Sequence, residues 1–476
     1  MLFNSLQFAV FFIVVYLLYL VLNHKWQNRM LLVASYIFYG AWDWRFLSLL
    51  FISTFLDYFC ALKIHESNDA GRRKWFLSLS IIGNLGLLGF FKYFNFFAAN
   101  LEFLLSRFGF HVSPHFLHII LPVGISFYTF QTMSYTIDVY RREMEPTKRF
   151  LDFSLFVSYF PQLVAGPIIR ARDLLPQMLA PRKLTMDKFY EGCYLIFWGL
   201  FQKVFIADNL AKIVDYVFAS PPPYNGAMVI LALYAFAFQI YCDFAGYSNI
   251  ARGLGSCMGF DIMVNFNLPY FSTNPREFWQ RWHISLSTWL RDYLYIPLGG
   301  NKKGRLATYR NLSITMLLGG LWHGAAWTFV IWGAYHGLLL VIQRLLKPLS
   351  GKGLIIKNIL YKRLWFFIKV VFFFHLICLG WLIFRAQSLT QAWQMLNGLT
   401  ANFHISPDLH LGRIVLKIIF FLWFLWIVEL SQLRKNDYLV VLKSSVLVRT
   451  VFYYVSFLLL LIFGVTGGKE FIYFQF

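Results

Sequence analysis

The sequence predicts an all-α protein that crosses a membrane many times. Of its 476 residues, 59% are hydrophobic and only 14% are charged, whereas soluble domains carry about 25% charged residues. Apolar runs as long as a membrane-spanning helix, which needs about 20 residues, recur along the whole chain. Helices are expected for these runs because a helix satisfies its own backbone hydrogen bonds in lipid.

The apolar runs predict ten to twelve membrane spans or half-spans. Non-helical backbone at membrane depth must be covered by protein or line a water-filled cavity. Runs interrupted by Gly and Pro, at 121–126 and 164–169, therefore predict broken or re-entrant helices around a cavity. The sequence shows no internal repeat and no soluble appendage, so residues 1–476 are expected to form a single integral-membrane domain. The second apolar run, 30–62, is expected to be broken near residues 40–43. The predicted segments are 6–23, 30–62, 76–98, 115–138, 151–168, 189–216, 226–247, 284–298, 312–341, 364–386, 413–431 and 447–465.

The basic residues predict topology rather than nucleic-acid binding. The formal net charge is +21, but the Lys and Arg residues fall between apolar runs, where they orient the chain and contact anionic lipid. Segments 301–310 and 344–363 are both basic, which predicts a cytoplasmic location for each. They flank one apolar run, 312–341, so both are cytoplasmic only if that run is a hairpin or a helix pair. The glycines at 319, 320 and 324 would permit such a break, and the sequence alone leaves the question open.

Two histidines, His283 and His323, are the candidate catalytic residues. Imidazole titrates near neutral pH and can take a proton from a hydroxyl group and return it. If its helix begins near Asn311, His323 lies about 18 Å along the axis, near the middle of a hydrocarbon core of about 30 Å. An ionisable residue at that depth indicates a functional site, and burial favours the neutral imidazole that a general base requires. Alternatively, Gly320 and Gly324 simply pack helices together and His323 bonds across the interface.

The segment before His283 has the pattern of a helix start. Asn274 is the predicted N-cap, Pro275 occupies the first helical position, and Glu277 is placed to close a capping box. A continuous helix from this point would put His283 on the face opposite a polar stripe, and the alternative role for His283 is a buried histidine bonded to a backbone carbonyl. The stripe consists of Arg281, Ser285, Thr288 and Asp292.

Other polar residues in apolar surroundings are interpreted as structural. His336 would face away from His323 unless the helix between them breaks. The intramembrane acids Asp57 and Asp243 are expected to pair with a basic or hydroxyl group. No nucleotide-binding GxxxxGK[ST], GxSxG or HExxH motif occurs, so the phosphate-loop, serine hydrolase and zinc protease classes have no support.

A metal site is not predicted. His111, His115 and His118 are close in sequence, but Pro114 interrupts them and no acidic residue is near. They are interpreted as histidines at the membrane interface. The five cysteines contain no CxxC pair and lie in or beside apolar runs, as small core residues do.

Five motifs give the chain a resemblance to the membrane-bound O-acyltransferase family, and more narrowly to the bacterial branch typified by the membrane subunit of alginate O-acetyltransferase. The resemblance covers nearly the whole chain and is densest from about 157 to 340, the expected catalytic core. One departure is Asn249, where the family commonly carries an acid after GYS. The motifs are VAGPI (164–168), CDFAGYS (242–248), FWQRWHISLS (278–287), LRDYLYIPLGG (290–300) and GGLWHG (319–324).

The resemblance implies about eleven transmembrane helices with re-entrant pieces, forming a funnel or tunnel through the bacterial inner membrane. It implies that acetyl-CoA donates an acetyl group from the cytoplasm, with no bound cofactor. The acceptor would be a hydroxyl group of a periplasmic partner protein or of an exported polysaccharide such as alginate. His323 corresponds to the invariant family histidine and His283 to the second one. The candidate substrate-binding residues beside them are Trp322, Arg281, Trp282 and Asp292.

The expected mechanism has neutral His323 accept the proton of the acceptor hydroxyl as it attacks the thioester. His283, or a hydroxyl or Trp N–H beside it, would steady the developing oxyanion. Related enzymes that O-acetylate peptidoglycan or transfer D-alanine remain alternatives. From a different class, a transporter would usually show paired halves, which the sequence lacks. A scaffold for polysaccharide export would tolerate the loss of His323.

Overall fold

The computed structural model describes residues 1–110, 117, 119–164, 166–346, 358–405, 409–465, 467, 471 and 472. Throughout these residues the regular structure is helical and no strand occurs, which confirms the predicted all-α class. The three clustered histidines at 111, 115 and 118 lie outside the described residues.

The chain divides into two compact units. The first comprises Met1–Ile196 and Ile250–Met263, and the second comprises Phe197–Asn249 and Val264–Phe476. The helices in chain order are α1 (Leu6–Val21), α2 (His24–Asp43), α3 (Leu47–Glu66), α4 (Ala70–Leu88), α5 (Phe94–Arg107), α6 (Ile125–Tyr140), α7 (Phe150–Ser158), α8 (Phe160–Leu163), α9 (Ala171–Leu179), α10 (Met186–Leu200), α11 (Asp208–Phe218), α12 (Gly226–Cys257), α13 (Pro275–Arg281), α14 (Ile284–Leu290), α15 (Gly304–His323), α16 (Trp327–Leu346), α17 (Ile359–Arg385), α18 (Leu389–Ala401), α19 (Leu409–Lys435) and α20 (Val446–Phe463).

The protein is a multi-pass membrane protein. Within the described chain, seven helical segments are long and apolar enough to cross a membrane, so the expected count of about eleven is not confirmed. One of the seven, His24–Glu66, has 43 residues, about 65 Å of helix for a core of about 30 Å. It is interrupted by a 3₁₀ turn at Trp44–Phe46, directly after the predicted break at residues 40–43. The segment is therefore two consecutive helices, α2 and α3.

Several of the interrupted apolar runs form short helices. The predicted segment 151–168 contains α7 of nine residues and α8 of four. The predicted segment 284–298 contains α14 of seven residues, followed by a π-helical turn at Arg291–Tyr295. Neither run provides a helix that spans a membrane core of about 30 Å. The predicted break near residues 164–169 is confirmed for the first run, and the second run is too short to be more than a half-span.

Helices α15 and α16 form a hairpin, which answers the question that the basic segments left open. Only residues 324–326 separate the two helices. A Cβ atom added to Gly333 would lie 3.2 Å from the Cα of Gly320, and one added to Gly337 would lie 3.5 Å from the Cα of Ser313. The two arms are therefore antiparallel, and the start of α15 lies at the same end as the end of α16. Both basic segments can then face the cytoplasm, as the positive-inside rule requires.

Close packing of the hairpin gives a prediction for Gly320. An added Cβ atom there would overlap the carbonyl oxygen of Phe329 and lie 3.0 Å from the Cα of Gly333. Because overpacking forces the backbones apart, we expect Gly320→Ala to destabilise the protein by about 1–3 kcal/mol. Thermal unfolding of the purified protein in detergent measures this change.

The matched control is Gly86→Ala in α4, where an added Cβ atom meets nothing within 4 Å. Alanine is favoured over glycine inside a helix by about 0.5–1 kcal/mol, so this variant should be neutral or more stable. Equal melting temperatures for the Gly320 variant and the wild type would contradict the tight packing of the hairpin.

The intramembrane acids are paired as the sequence predicted. In the first unit, Asp57 is fully buried and accepts hydrogen bonds from the Ser80 hydroxyl, from the Asn84 amide at 2.7 Å and from the Thr136 hydroxyl at 3.0 Å. Neutral donors satisfy this carboxyl group, which lowers the cost of burying it.

In the second unit, Asp243 forms a buried ion pair with Lys203. The Lys203 ammonium lies 2.7 Å from Asp243 and 2.9 Å from Asp208, and its side chain is 1% exposed. The other carboxylate oxygen of Asp243 accepts the backbone N–H of Ile472 at 2.7 Å. This network joins the π-helical turn Phe201–Ala207, α11, α12 and Ile472.

Candidate functional site

The predicted start of α13 is confirmed. The Asn274 side chain accepts the backbone N–H of Glu277 at 3.0 Å, and Pro275 occupies the first helical position. The reciprocal bond differs from a capping box by one residue, because the Glu277 carboxylate accepts the N–H of Thr273 at 2.9 Å. The cap fixes where the FWQRWH segment begins its helix.

The continuous helix expected through His283 is wrong. Helix α13 ends at Arg281, and His283 adopts a left-handed backbone conformation with φ 41° before α14 begins. This conformation is uncommon for a residue other than glycine. The Asn265 carbonyl holds the reversed chain by accepting the N–H of Ile284 at 2.9 Å. Arg281 consequently does not lie on one helical stripe with Asp292.

His283 is held by a side chain rather than by the backbone carbonyl considered above. Its Nδ1 lies 3.2 Å from the amide oxygen of Asn265, which also accepts the Ser285 hydroxyl at 2.9 Å. An amide oxygen only accepts hydrogen bonds, so Nδ1 of His283 donates and Nε2 of the neutral ring carries the lone pair. The imidazole is fully buried and packs edge-on to Phe244, with ring centroids 4.6 Å apart.

His323 occupies the closed end of the hairpin. Its helix begins at Gly304 rather than near Asn311, and His323 is the last residue of α15. It therefore lies about 29 Å from the start of the helix rather than midway along it. The imidazole is 3% exposed and stands nearly perpendicular to Trp332 at 5.0 Å and to Phe384 at 5.4 Å between ring centroids.

Two tryptophans connect the histidines of this region. The ring of Trp322 packs against His323 at 5.1 Å and His283 at 6.0 Å. The ring of Trp332 packs against His323 at 5.0 Å and His336 at 4.7 Å. His336 does not face away from His323, because the helix breaks at residues 324–326. His336 and His323 lie on different arms of the hairpin, and both pack against the indole of Trp332.

A cavity of about 1550 Å³ runs along the hairpin. Its lining includes His323 and Trp332 at the closed end, and Leu290, Met316 and Gly319 along the wall. Four arginines also line it, and no described lining residue carries a carboxylate. The arginines are Arg276, Arg291, Arg305 and Arg344.

Of the six predicted site residues, His323 alone lines this cavity. Arg281 is bonded to the Glu277 carboxylate at 3.0 Å and to the Asn267 carbonyl at 3.2 Å. Trp282 is buried against Trp381, with ring centroids 4.9 Å apart. Neither Arg281 nor Trp282 lines the cavity.

The remaining candidates are close to the cavity without lining it. Asp292 pairs with Arg291 at 2.6 Å, and Arg291 is the partner that lines the cavity. Trp322 packs against His323, and His283 packs against Trp322. The cavity arginines were not predicted as site residues, although segment 301–310 was recognised as basic.

Asn249, the departure from the family pattern, is bonded within the second unit. Its amide donates to the Gln202 side-chain oxygen at 2.8 Å. The side-chain amides of Asn249 and Gln202 are therefore paired at the position where the family pattern has a carboxylate. Among the residues that the structure describes, no group of three His, Cys, Asp or Glu side chains could hold a metal ion.

Comparisons with known proteins agree with the motifs. The family model for membrane-bound O-acyltransferases matches residues 141–379. The probable alginate O-acetylase AlgI of Azotobacter vinelandii is 47% identical over 399 residues, covering 83% of this chain and 77% of that protein. The peptidoglycan O-acetyltransferase of Helicobacter pylori is 37% identical, covering 84% and 80%. The teichoic acid D-alanyltransferase of Bacillus subtilis is 31% identical, covering 58% and 71%. The chain belongs to the membrane-bound O-acyltransferase family.

Proposed function

We propose that this protein transfers an acetyl group from cytoplasmic acetyl-CoA to a hydroxyl group on the periplasmic side of the bacterial inner membrane. The acceptor is a periplasmic partner protein or an exported polysaccharide of the alginate type. The observation that carries the proposal is the cavity, which has His323 at its closed end and four arginines in its lining. The similarity to alginate O-acetylases supports the choice of acetyl group and polymer.

The arginines in the cavity lining suit the phosphates of the donor. Arg276, Arg305 and Arg344 are exposed and form no ion pair with another described residue. Guanidinium groups bind phosphate through paired, charge-assisted hydrogen bonds. Because α15 carries both Arg305 and His323, 18 residues apart, the phosphates would bind about 27 Å from the imidazole. A slender donor arm lying along α15 would bring its thioester toward His323.

The same geometry supports transfer across the membrane. Both basic ends of the hairpin face the cytoplasm by the positive-inside rule, so the closed end with His323 lies deep in the membrane, toward the periplasmic side. An acceptor hydroxyl would approach from that side. The donor and the acceptor would then meet at one imidazole without either crossing the membrane.

The acetyl transfer uses His323 as the general base. The imidazole takes the hydroxyl proton as the acceptor oxygen attacks the thioester carbonyl. The tetrahedral intermediate then collapses, the carbon–sulfur bond breaks, and the imidazolium returns the proton to the departing thiolate. Trp322, packed between the two histidines, would donate its indole N–H toward the oxyanion, and His283, whose Nε2 carries a lone pair, would orient the acceptor hydroxyl by accepting its hydrogen bond.

The experiment that tests the function uses inside-out membrane vesicles. Labelled acetyl-CoA is added to the outside, which is the cytoplasmic face, and label is measured on acceptor trapped inside. Transfer that depends on this protein supports the proposal. Labelled D-alanine supplied on a carrier protein, or a peptidoglycan acceptor in place of alginate, tests the functions of the two more distant relatives.

The arginines in the cavity lining give a prediction about donor binding. We expect the double variant Arg305→Gln/Arg344→Gln to raise KM for acetyl-CoA by about 10-fold or more, since contacts with ionised groups contribute about 1.5–3 kcal/mol each. Its kcat should change little, because contacts far from the reacting carbonyl bind the substrate and the transition state alike. Initial rates at varied acetyl-CoA concentration measure both constants.

Arg310→Gln is the matched control. Arg310 is exposed on the same helix as Arg305 but bonds to Asn311 and does not line the cavity. Its KM should match the wild type. An unchanged KM in the double variant would show that the donor phosphates bind elsewhere.

A further inference from the structure

The cavity ends at an aromatic wall directly behind His323. Trp332 and Phe384 both stand nearly perpendicular to the imidazole, and their own ring centroids are 5.2 Å apart. Phe384 is backed by Phe329 at 4.9 Å and by Trp381 at 5.5 Å. Trp332, Phe384 and Trp381 are each 1% exposed. This side of His323 is densely packed.

The wall fixes where the cavity stops. His323 and Trp332 line it, whereas Phe384, Trp381 and Phe329 lie outside the lining. A thioester carbonyl placed beside the imidazole would point its acyl chain into these rings. Each carbon added beyond an acetyl group would have to displace an aromatic side chain from a closely packed interior.

We infer that Trp332 and Phe384 restrict the donor to a short acyl group, with acetyl preferred over longer chains. This inference rests on the proposed function, because it concerns the acyl end of the donor in the same cavity. The two residues determine specificity by volume. Neither supplies a charged group or a proton to the reaction.

Phe384 is the better residue to test of the two. Trp332 also contacts His336 and Trp279, so its removal would disturb the hairpin and α13 together. Truncating Phe384 would open space next to His323 at the end of α17. A single methylene group in an apolar pocket changes specificity by about 10–200-fold. Removing a whole phenyl ring should therefore produce a measurable change in the preference between acyl donors.

The experiment measures kcat/KM for acetyl-, propionyl-, butyryl- and hexanoyl-CoA in membranes that contain the wild type or a variant. For the wild type, kcat/KM should fall by at least about 10-fold for each methylene group added to the acyl chain, until transfer is undetectable. Phe384→Ala should raise the butyryl-to-acetyl ratio by at least about 10-fold, and Phe384→Leu should raise it less. If the alanine protein does not insert, the leucine protein decides the question.

Phe373→Ala is the matched control. Phe373 is a buried phenylalanine on the same helix that packs against Phe278, 11 residues away from Phe384. Its loss should destabilise the protein without changing the order of donors. The inference is overturned if the wild type uses butyryl-CoA as well as acetyl-CoA, or if both Phe384 variants keep the wild-type ratio. A wild type that transfers no acyl group from any of the four donors overturns the proposed function itself.

Discussion

Replacing His323 with glutamine is expected to lower the rate of acetyl transfer by about 10²–10⁴-fold, the usual contribution of a general base. Glutamine has a similar size and can form hydrogen bonds with the surroundings of the imidazole. It cannot accept a proton and return it within one reaction cycle. The measurement is the initial rate of label transfer from acetyl-CoA in vesicles adjusted to equal amounts of membrane-inserted protein.

A second readout separates catalysis from folding. A general base acts in its unprotonated form, so wild-type activity should fall as the pH is lowered, and the residual activity of His323→Gln should lose that dependence. His375→Gln is the control, since His375 bonds to the Tyr234 hydroxyl at 2.7 Å on the exposed side of α17. Wild-type activity in His323→Gln would show that His323 is not the general base and would leave His283 and the export scaffold as the alternatives to test.

Much of the fold could be predicted because the positions of its helices are set by residues that are close together in the sequence. Membrane-length apolar runs predicted the long helices, and the glycine-containing segment 40–43 predicted the break before α3. Asn274 and Pro275 predicted the start of α13, since an N-cap acts within one helical turn. The basic segments on both sides of residues 312–341 already suggested a hairpin, although the sequence could not locate its turn.

The break at His283 could not be predicted because a distant residue causes it. The local pattern from Pro275 to Asp292 is compatible with one helix. Asn265 overrides that pattern by bonding the backbone of Ile284, the hydroxyl of Ser285 and the imidazole of His283. Asn265 precedes His283 by 18 residues and carries no recognisable motif. Tertiary contacts of this kind routinely override local propensity.

The arginines in the cavity lining were missed for a related reason. Each one follows the positive-inside rule on its own and needs no further explanation. Arg276 and Arg344 are 68 residues apart, and only the hairpin brings them to one cavity with Arg305. Residues that separate helices bring to one cavity are therefore hidden in the sequence, whereas the compact motif around His323 made that residue a candidate from the sequence alone.

Replacing Lys203 with methionine is expected to have the largest effect on stability. The change leaves Asp208 and Asp243 buried without the ammonium group that lies within 3 Å of both. Removing one partner of a buried ion pair costs about 3–5 kcal/mol, because the remaining charge is uncompensated. The loss would also disturb the Asp243 carboxylate that accepts the backbone N–H of Ile472. Unfolding in detergent, followed by heat or by denaturant, measures the change.

The exposed pair of Lys443 and Asp437 provides the matched control. Its ammonium and carboxylate lie 2.6 Å apart, but the Lys443 side chain is 65% exposed. Solvent screens such a pair, so Lys443→Met should cost no more than about 1 kcal/mol. If the Lys203 effect arises from uncompensated charge, adding Asp208→Asn and Asp243→Asn to Lys203→Met should restore much of the stability. A triple variant as unstable as the single one would instead assign the loss to the packing of the lysine chain beside Tyr247.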